Sequence, residues 1–86
     1  MQNGYITSDQ IRAARALLRW SSTELSKRSG VGSATIKRME VMQGVPSGQV
    51  RTLAAIQQSF ENAGVEFIGS PNDAPGVRLR ARTGEP

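Results

Sequence analysis

The stretch Ser21–Glu40 reads Ser-Ser-Thr-Glu-Leu-Ser-Lys-Arg-Ser-Gly-Val-Gly-Ser-Ala-Thr-Ile-Lys-Arg-Met-Glu, and its punctuation decides the fold. Ser21 can cap a helix, and Glu24 three residues on is placed to reach back to the Ser21 amide, the reciprocal capping box. Trp20 before the cap and Leu25 after it have the spacing of a hydrophobic staple. Gly30 ends that helix, because glycine readily takes the left-handed conformation that commonly follows a helix terminus. Val31 alone separates Gly30 from a second start at Gly32 or Ser33, and Val31 with Ile36 repeats the staple around Gly32. Two helices on so short a hinge cross steeply, which is the helix-turn-helix geometry.

In the second helix Ile36 and Met39 lie three apart and share one apolar face. Ser33, Ala34, Lys37 and Arg38 point elsewhere. They offer a hydroxyl, a methyl group and two cations, a set that suits base edges and phosphates in a major groove. An ordinary helical hairpin with a solvated basic face would show the same residues, and spacing by itself favours DNA binding only modestly.

These residues resemble the phage-repressor-like helix-turn-helix family, the Cro/C1 or xenobiotic-response-element type. That pattern runs approximately Leu-Ser-Gln-x-x-Leu-Ala-x-x-x-Gly-Val-Ser-x-x-Thr-Ile-x-x-Ile-Glu-x-Gly. The chain matches it at Ser21, Leu25, Gly30, Val31, Thr35, Ile36 and Glu40, with Pro46 at the usual interval, and the resemblance spans Ile11 to Phe60. It departs at Ser22 where glutamine is usual, at Ser26 for alanine, at Ser29 for an apolar residue, and at Gly44, which is shifted. Losing the glutamine puts in doubt a contact that the family makes from the start of its first motif helix, and Ser29 is expected to cost packing between the two helices. The resemblance implies a mostly α, Cro/C1-type domain of four or five helices, here with a short C-terminal β-strand pair. In the motif's register Ser33, Ala34, Lys37 and Arg38 would touch bases. Arg19, Ser22, Thr23, Lys27, Thr35 and Gln43 would touch phosphates.

Composition agrees with a polyanion partner. The 86 residues carry a net charge of +4, and positions 11–40 hold Arg12, Arg15, Arg19, Lys27, Arg28, Lys37 and Arg38 against Glu24 and Glu40. There is no cysteine and no histidine, which removes disulfides, thiolate metal sites and the usual neutral-pH acid-base group. No apolar run approaches membrane-spanning length and no signal-peptide pattern opens the chain. The expected setting is a bacterial or phage-encoded cytoplasmic, nucleoid-associated protein, with no membrane and no cofactor.

Upstream of the motif, residues 1–6 read as a lead-in. Thr7 and Gln10 repeat the capping-box spacing, and Ile6 with Ile11 repeats the staple. A first helix is therefore expected from Ser8 to Arg19, with Ile11, Ala14, Leu17 and Leu18 on or near its buried side. Arg12, Arg15 and Arg19 lie on a neighbouring face; Arg12 reads as solvated, and Arg19 as able to reach a phosphate. Downstream, Val41 to Gly48 is a loop, and a fourth helix is expected from Gln49 to Asn62 with Val50, Leu53, Ile56 and Phe60 as its stripe and Gly64 as its stop. The division expected is a helix-turn-helix domain over 1–64 and a β-type tail over 65–86. In the tail, Val65–Ile68 and Val77–Arg82 are β-prone, and the segment between them reads as too long and proline-broken for a tight two-residue hairpin. An isolated strand pair is marginal in water, so the tail must pack on the helices or pair with another copy, which makes it a candidate dimer element. Arg78, Arg80 and Arg82 fall on one face as a charged edge that discourages aggregation.

The function expected is a sequence-specific DNA-binding transcriptional regulator, a repressor by preference. It would act as a homodimer on an inverted-repeat double-stranded operator of a phage or mobile element. The alternative is an antitoxin that neutralises a toxin through its tail and represses its own operon, so a toxin or anti-regulator is a second partner class. An enzyme is not expected, because the acids are scattered and no nucleophile-base pair is evident.

Overall fold

The computed structural model describes residues 5–80. Helix α1 spans Ser8–Leu18, α2 Ser22–Ser29, α3 Ser33–Glu40 and α4 Val50–Asn62, followed by strands β1 Val65–Ser70 and β2 Asp73–Leu79. The described residues are thus mostly helical, with four helices and one two-stranded antiparallel sheet. Among them no helix is long and apolar enough to cross a membrane.

The capping box that opens α1 forms in full. Thr7 Oγ1 accepts from the Gln10 amide at 3.1 Å, and Gln10 Oε1 accepts from the Thr7 amide at 2.9 Å. Gln10 does more than cap, because its Nε2 donates to the Ile68 and Gly76 carbonyls of the strands at 3.3 and 2.8 Å. At the other end Arg19 takes the left-handed conformation, φ 57°, and turns the chain toward α2. The box expected at Ser21 and Glu24 forms by half. Ser21 Oγ accepts from the Glu24 amide at 3.0 Å, but the Glu24 carboxylate turns along α2 to Arg28, 2.7 Å away. A cation one turn on outcompetes a backbone amide already close to water.

One core joins helices and strands: Ile6, Ile11, Ala14, Leu25, Ile36, Met39, Leu53, Ile56, Phe60 and Val65 are buried together. Trp20 stacks on Phe60 at 5.6 Å between centroids, and Phe67 meets Phe60 edge-on at 6.0 Å. This aromatic line runs from the α1–α2 turn through α4 to β1. Two residues of the expected stripes fall outside the core. Leu17 is 40% exposed, because Ile11, Ala14 and Leu18 carry the inward stripe of α1 and Leu17 lies about 100° off it. Val50 is 60% exposed, because it is the first residue of α4, a turn ahead of the first core layer at Leu53.

The tail is a tight hairpin, contrary to the expectation from its prolines. Val65 pairs with Leu79, Glu66 with Arg78, Phe67 with Val77 and Ile68 with Gly76; β2 then bulges by one residue, setting Ala74 and Pro75 against Gly69, and Ser70 pairs with Asp73 across the two residues Pro71 and Asn72. Pro71 suits the second position of a type I turn. Pro75 is one of the two bulge residues and has no partner in the ladder, so its missing N–H leaves no strand bond unmade. Gly69 is the residue this turn cannot replace: its φ is +75°, and a Cβ there would lie 2.0 Å from the Ala74 carbonyl oxygen. Gly69→Ala is expected to lower stability by about 2 kcal/mol, the left-handed penalty plus displacement of that carbonyl. Denaturant unfolding followed by Trp20 fluorescence measures it. Of the expected second strand, Ala81 and Arg82 lie outside the described residues.

Candidate nucleic-acid interface

The two motif helices meet as the sequence predicts. Gly30 closes α2 with φ 78°, its amide bonding the Ser26 carbonyl at 2.9 Å, and Gly32 starts α3 two residues on. Ser29, expected to cost packing, is instead put to use. Its hydroxyl donates to the Leu25 carbonyl at 2.8 Å and accepts from the Val31 amide at 3.1 Å, so it ties the hinge to the end of α2.

Ile36 and Met39 face the core, with 0% and 3% of their surface exposed. On the other side of α3, Ala34, Lys37 and Arg38 are exposed and Ser33 and Thr35 half-buried. The four residues expected at bases therefore share the outer side of one helix. Of those expected at phosphates, Ser22 and Thr23 open α2, Lys27 lies in its last turn, and Arg19 stands exposed just before it. Gln43 is exposed in the loop after α3. Thr35 instead lines a groove of about 340 Å³ with Arg38, Met39, Ser47, Gly48, Gln49 and Thr52. Gln49, the N-cap of α4, makes no side-chain cap bond. The sequence did not point to Gln49 and Thr52, because only the packing of both α3 and α4 against α2 brings the start of α4 beside Arg38.

The acids of this region are already committed. Glu40 is buried and held by Arg15 in a two-pronged pair, Nε to Oε2 at 2.7 Å and Nη2 to Oε1 at 2.9 Å. Arg15 Nη1 also donates to the Trp20 carbonyl at 2.9 Å. These bonds to Glu40 hold the Arg15 guanidinium above the usual arginine pKa, against the opposing effect of burial. Arg12, expected to be solvated, reaches both Asp9 and the Glu40 carbonyl, and Ser8 Oγ donates to the Met39 carbonyl at 2.6 Å. Ser8, Arg12 and Arg15 are spaced four and three apart, so one face of α1 grips the C-terminal end of α3. The cations also answer the negative end of the α3 dipole.

Glu24 serves Arg28, whose guanidinium carbon lies 4.6 Å from the centre of the Trp20 ring, and more loosely Lys27 at 3.9 Å. The Arg28 hydrogen bond, with the charges of Lys27 and Arg28 behind it, holds the Glu24 carboxyl below the ordinary carboxylate value despite some desolvation. A depressed carboxyl stabilises the fold above its unfolded value and loses that contribution as pH falls through its folded value. The Glu24 carbon signal in an NMR titration is therefore expected to move below the ordinary midpoint, and in Arg28→Ala to return toward it.

Comparison with protein-family models finds no match. Comparison with curated proteins finds none either. What distinguishes the surface is then its charge: among the described residues neither Lys37 nor Arg38 has an ion-pair partner, while Glu24 and Glu40 are both occupied by other cations.

Proposed function

We propose that the chain is a sequence-specific DNA-binding transcriptional regulator of the phage-repressor-like, Cro/C1-type helix-turn-helix family. It binds an inverted-repeat operator as a homodimer, with α3 in the major groove. Ser33, Ala34, Lys37 and Arg38 face base edges, Lys37 also neutralising a phosphate beside them, and Arg19, Ser22, Thr23, Lys27, Thr35 and Gln43 follow the phosphates. The observation that carries this reading is the pair of unneutralised cations on the outer side of α3. A basic face kept only for solubility needs no such arrangement, in which both nearby carboxylates are held elsewhere. A polyanion supplies the missing counter-charge. Regulation follows from occupancy, since a bound protein blocks polymerase at an overlapping promoter.

The test is binding to DNA from upstream of the protein's own gene, followed by anisotropy over a salt series. Each neutralised phosphate contributes about −0.9 to the slope of log K against log salt, so contacts from Arg19, Lys27 and Lys37 predict about −3 per protomer. A slope near zero would sink the electrostatic part of the proposal. Footprinting on the same fragment is expected to show two protected half-sites one helical turn apart.

A further inference from the structure

The hairpin leaves one edge of its sheet unoccupied. The Arg80 amide donates to the Gly64 carbonyl at 2.9 Å, so residues 64 and 80 form a bonded pair, and alternation makes 66/78 and 68/76 the next ones. The N–H and C=O groups of Val77 and Leu79 therefore point away from β1, and among the described residues nothing bonds to them. One face of the hairpin is covered, with Val65 1% exposed, Phe67 against Phe60 and Val77 against the core. Helix α1 packs against β2, its Gln10 bridging the Ile68 and Gly76 carbonyls of both strands, and among the described residues the outer edge of β2 is not bonded. On β2, Leu79 is 42% exposed, and the Arg78 and Arg80 side chains are 65% and 57% exposed. A single carboxylate, Glu66, serves both arginines, at 2.6 and 3.6 Å.

A strand laid along this edge would set alternate side chains beside Val77 and Leu79 and the others beside Arg78 and Arg80. A second copy is a weaker occupant: two-fold pairing sets Arg78 opposite Arg80 or opposite itself, where like charges are destabilising, and the register that avoids this, Val77 opposite Val77, lays Arg78 against Gly76 and gives its charge no partner. DNA is also a poor occupant, because Glu66 sits between the arginines and an ionised phosphodiester has no donor for the outward carbonyls. We propose that the outer edge of β2 docks an extended segment of a different protein in which apolar and acidic residues alternate, adding a third strand to the sheet. This stands apart from the DNA-binding reading, since α3 takes no part in it; the second copy of an operator-bound dimer would use another surface.

Titrating the isotope-labelled full chain with the synthetic peptide Val-Glu-Val-Glu-Val-Glu-Val, and with its valine–lysine counterpart, tests it by NMR. The acidic peptide is expected to shift the Val77 and Leu79 amides and slow their exchange, and to bind about fivefold to tenfold more tightly than the basic one, the ratio two exposed ion pairs give. Reversing both charges with Arg78→Glu and Arg80→Glu is expected to invert that preference. Should the reversal unfold the hairpin beside Glu66, the pair Arg78→Gln and Arg80→Gln is expected to abolish the preference while the core amides stay protected. The proposal is overturned by equal binding of the two peptides, or by binding of neither. It is overturned too if Val77 and Leu79 are already protected in the free protein, the sign of an edge occupied by its own chain or a second copy. A DNA duplex that shifts these amides would assign the edge to nucleic acid and overturn it as well.

Discussion

Glu40→Ala is expected to lower the unfolding free energy by about 3 kcal/mol, the lower end of the range for removing one partner of a buried ion pair. The lower end applies because the Arg15 side chain keeps a quarter of its surface in water, whereas that of Glu40 keeps only 9%. The substitution leaves the largely buried Arg15 guanidinium with only the Trp20 carbonyl to accept from it. It also loosens the end of α3, since the carboxylate is one of three attachments that α1 makes there, beside Ser8 and Arg12. Trp20, the only tryptophan, stacks on Phe60 and reports unfolding in a denaturant series. The double variant Arg15→Met with Glu40→Leu is expected to recover most of the loss, because an apolar pair of similar volume carries no desolvation cost. It should not recover operator affinity to the same degree, since the two-pronged geometry that orients α3 is gone. A loss well under 1 kcal/mol in Glu40→Ala would mean that solvent screens the pair and that Ile36, Met39 and the Ser8 and Arg12 bonds to the backbone suffice to hold α3 in place.

That pair also marks the limit of what the chain discloses without its fold. The local signals were legible. Thr7 with Gln10, Ser21 as a cap, Gly30 as a stop and Gly32 as a start each act within a few residues, and each is where the spacing put it. The apolar face of α3 was legible for the same reason. Arg15 and Glu40 are 25 positions apart, and nothing in the spacing of either distinguishes a buried partner from a solvated charge. Glu24 had two acceptable partners within a turn, an amide and a guanidinium, and only the side-chain geometry decides between them. The hairpin was misjudged because Pro75 and Gly76 look like loop in a one-dimensional reading. Gly76 pairs with Ile68 and Pro75 falls in the bulge where no partner is needed, a property of register rather than composition. The groove beside Arg38 was beyond reach on the same grounds, as Gln49 and Thr52 arrive there by packing.

Arg38→Ala is expected to cost about 1–3 kcal/mol on the preferred operator and to flatten discrimination at one base pair in each half-site. Arg38 and Lys37 are adjacent on the exposed side of α3, and neither is neutralised by a neighbour among the described residues, so charge does not separate them. Shape does. A guanidinium donates two parallel bonds to guanine O6 and N7, whereas an ammonium is a rotating point charge better matched to phosphate or to a less selective base contact. Arg38 also lines the groove with Thr35, Met39, Gln49 and Thr52, so the polar groups of the start of α4 lie beside it. Arg38→Lys is accordingly expected to keep the salt slope and lose the base preference, while Lys37→Ala should weaken good and poor sites alike and make the slope shallower by about 1. A competition assay across an operator substitution series reads both effects at once. If Arg38→Ala leaves the ranking of operator variants unchanged and instead alters the salt slope, Arg38 is a phosphate clamp. The base-reading role would then fall to Ser33 and Ala34 at the start of the helix, where a hydroxyl and a methyl group meet the groove floor first.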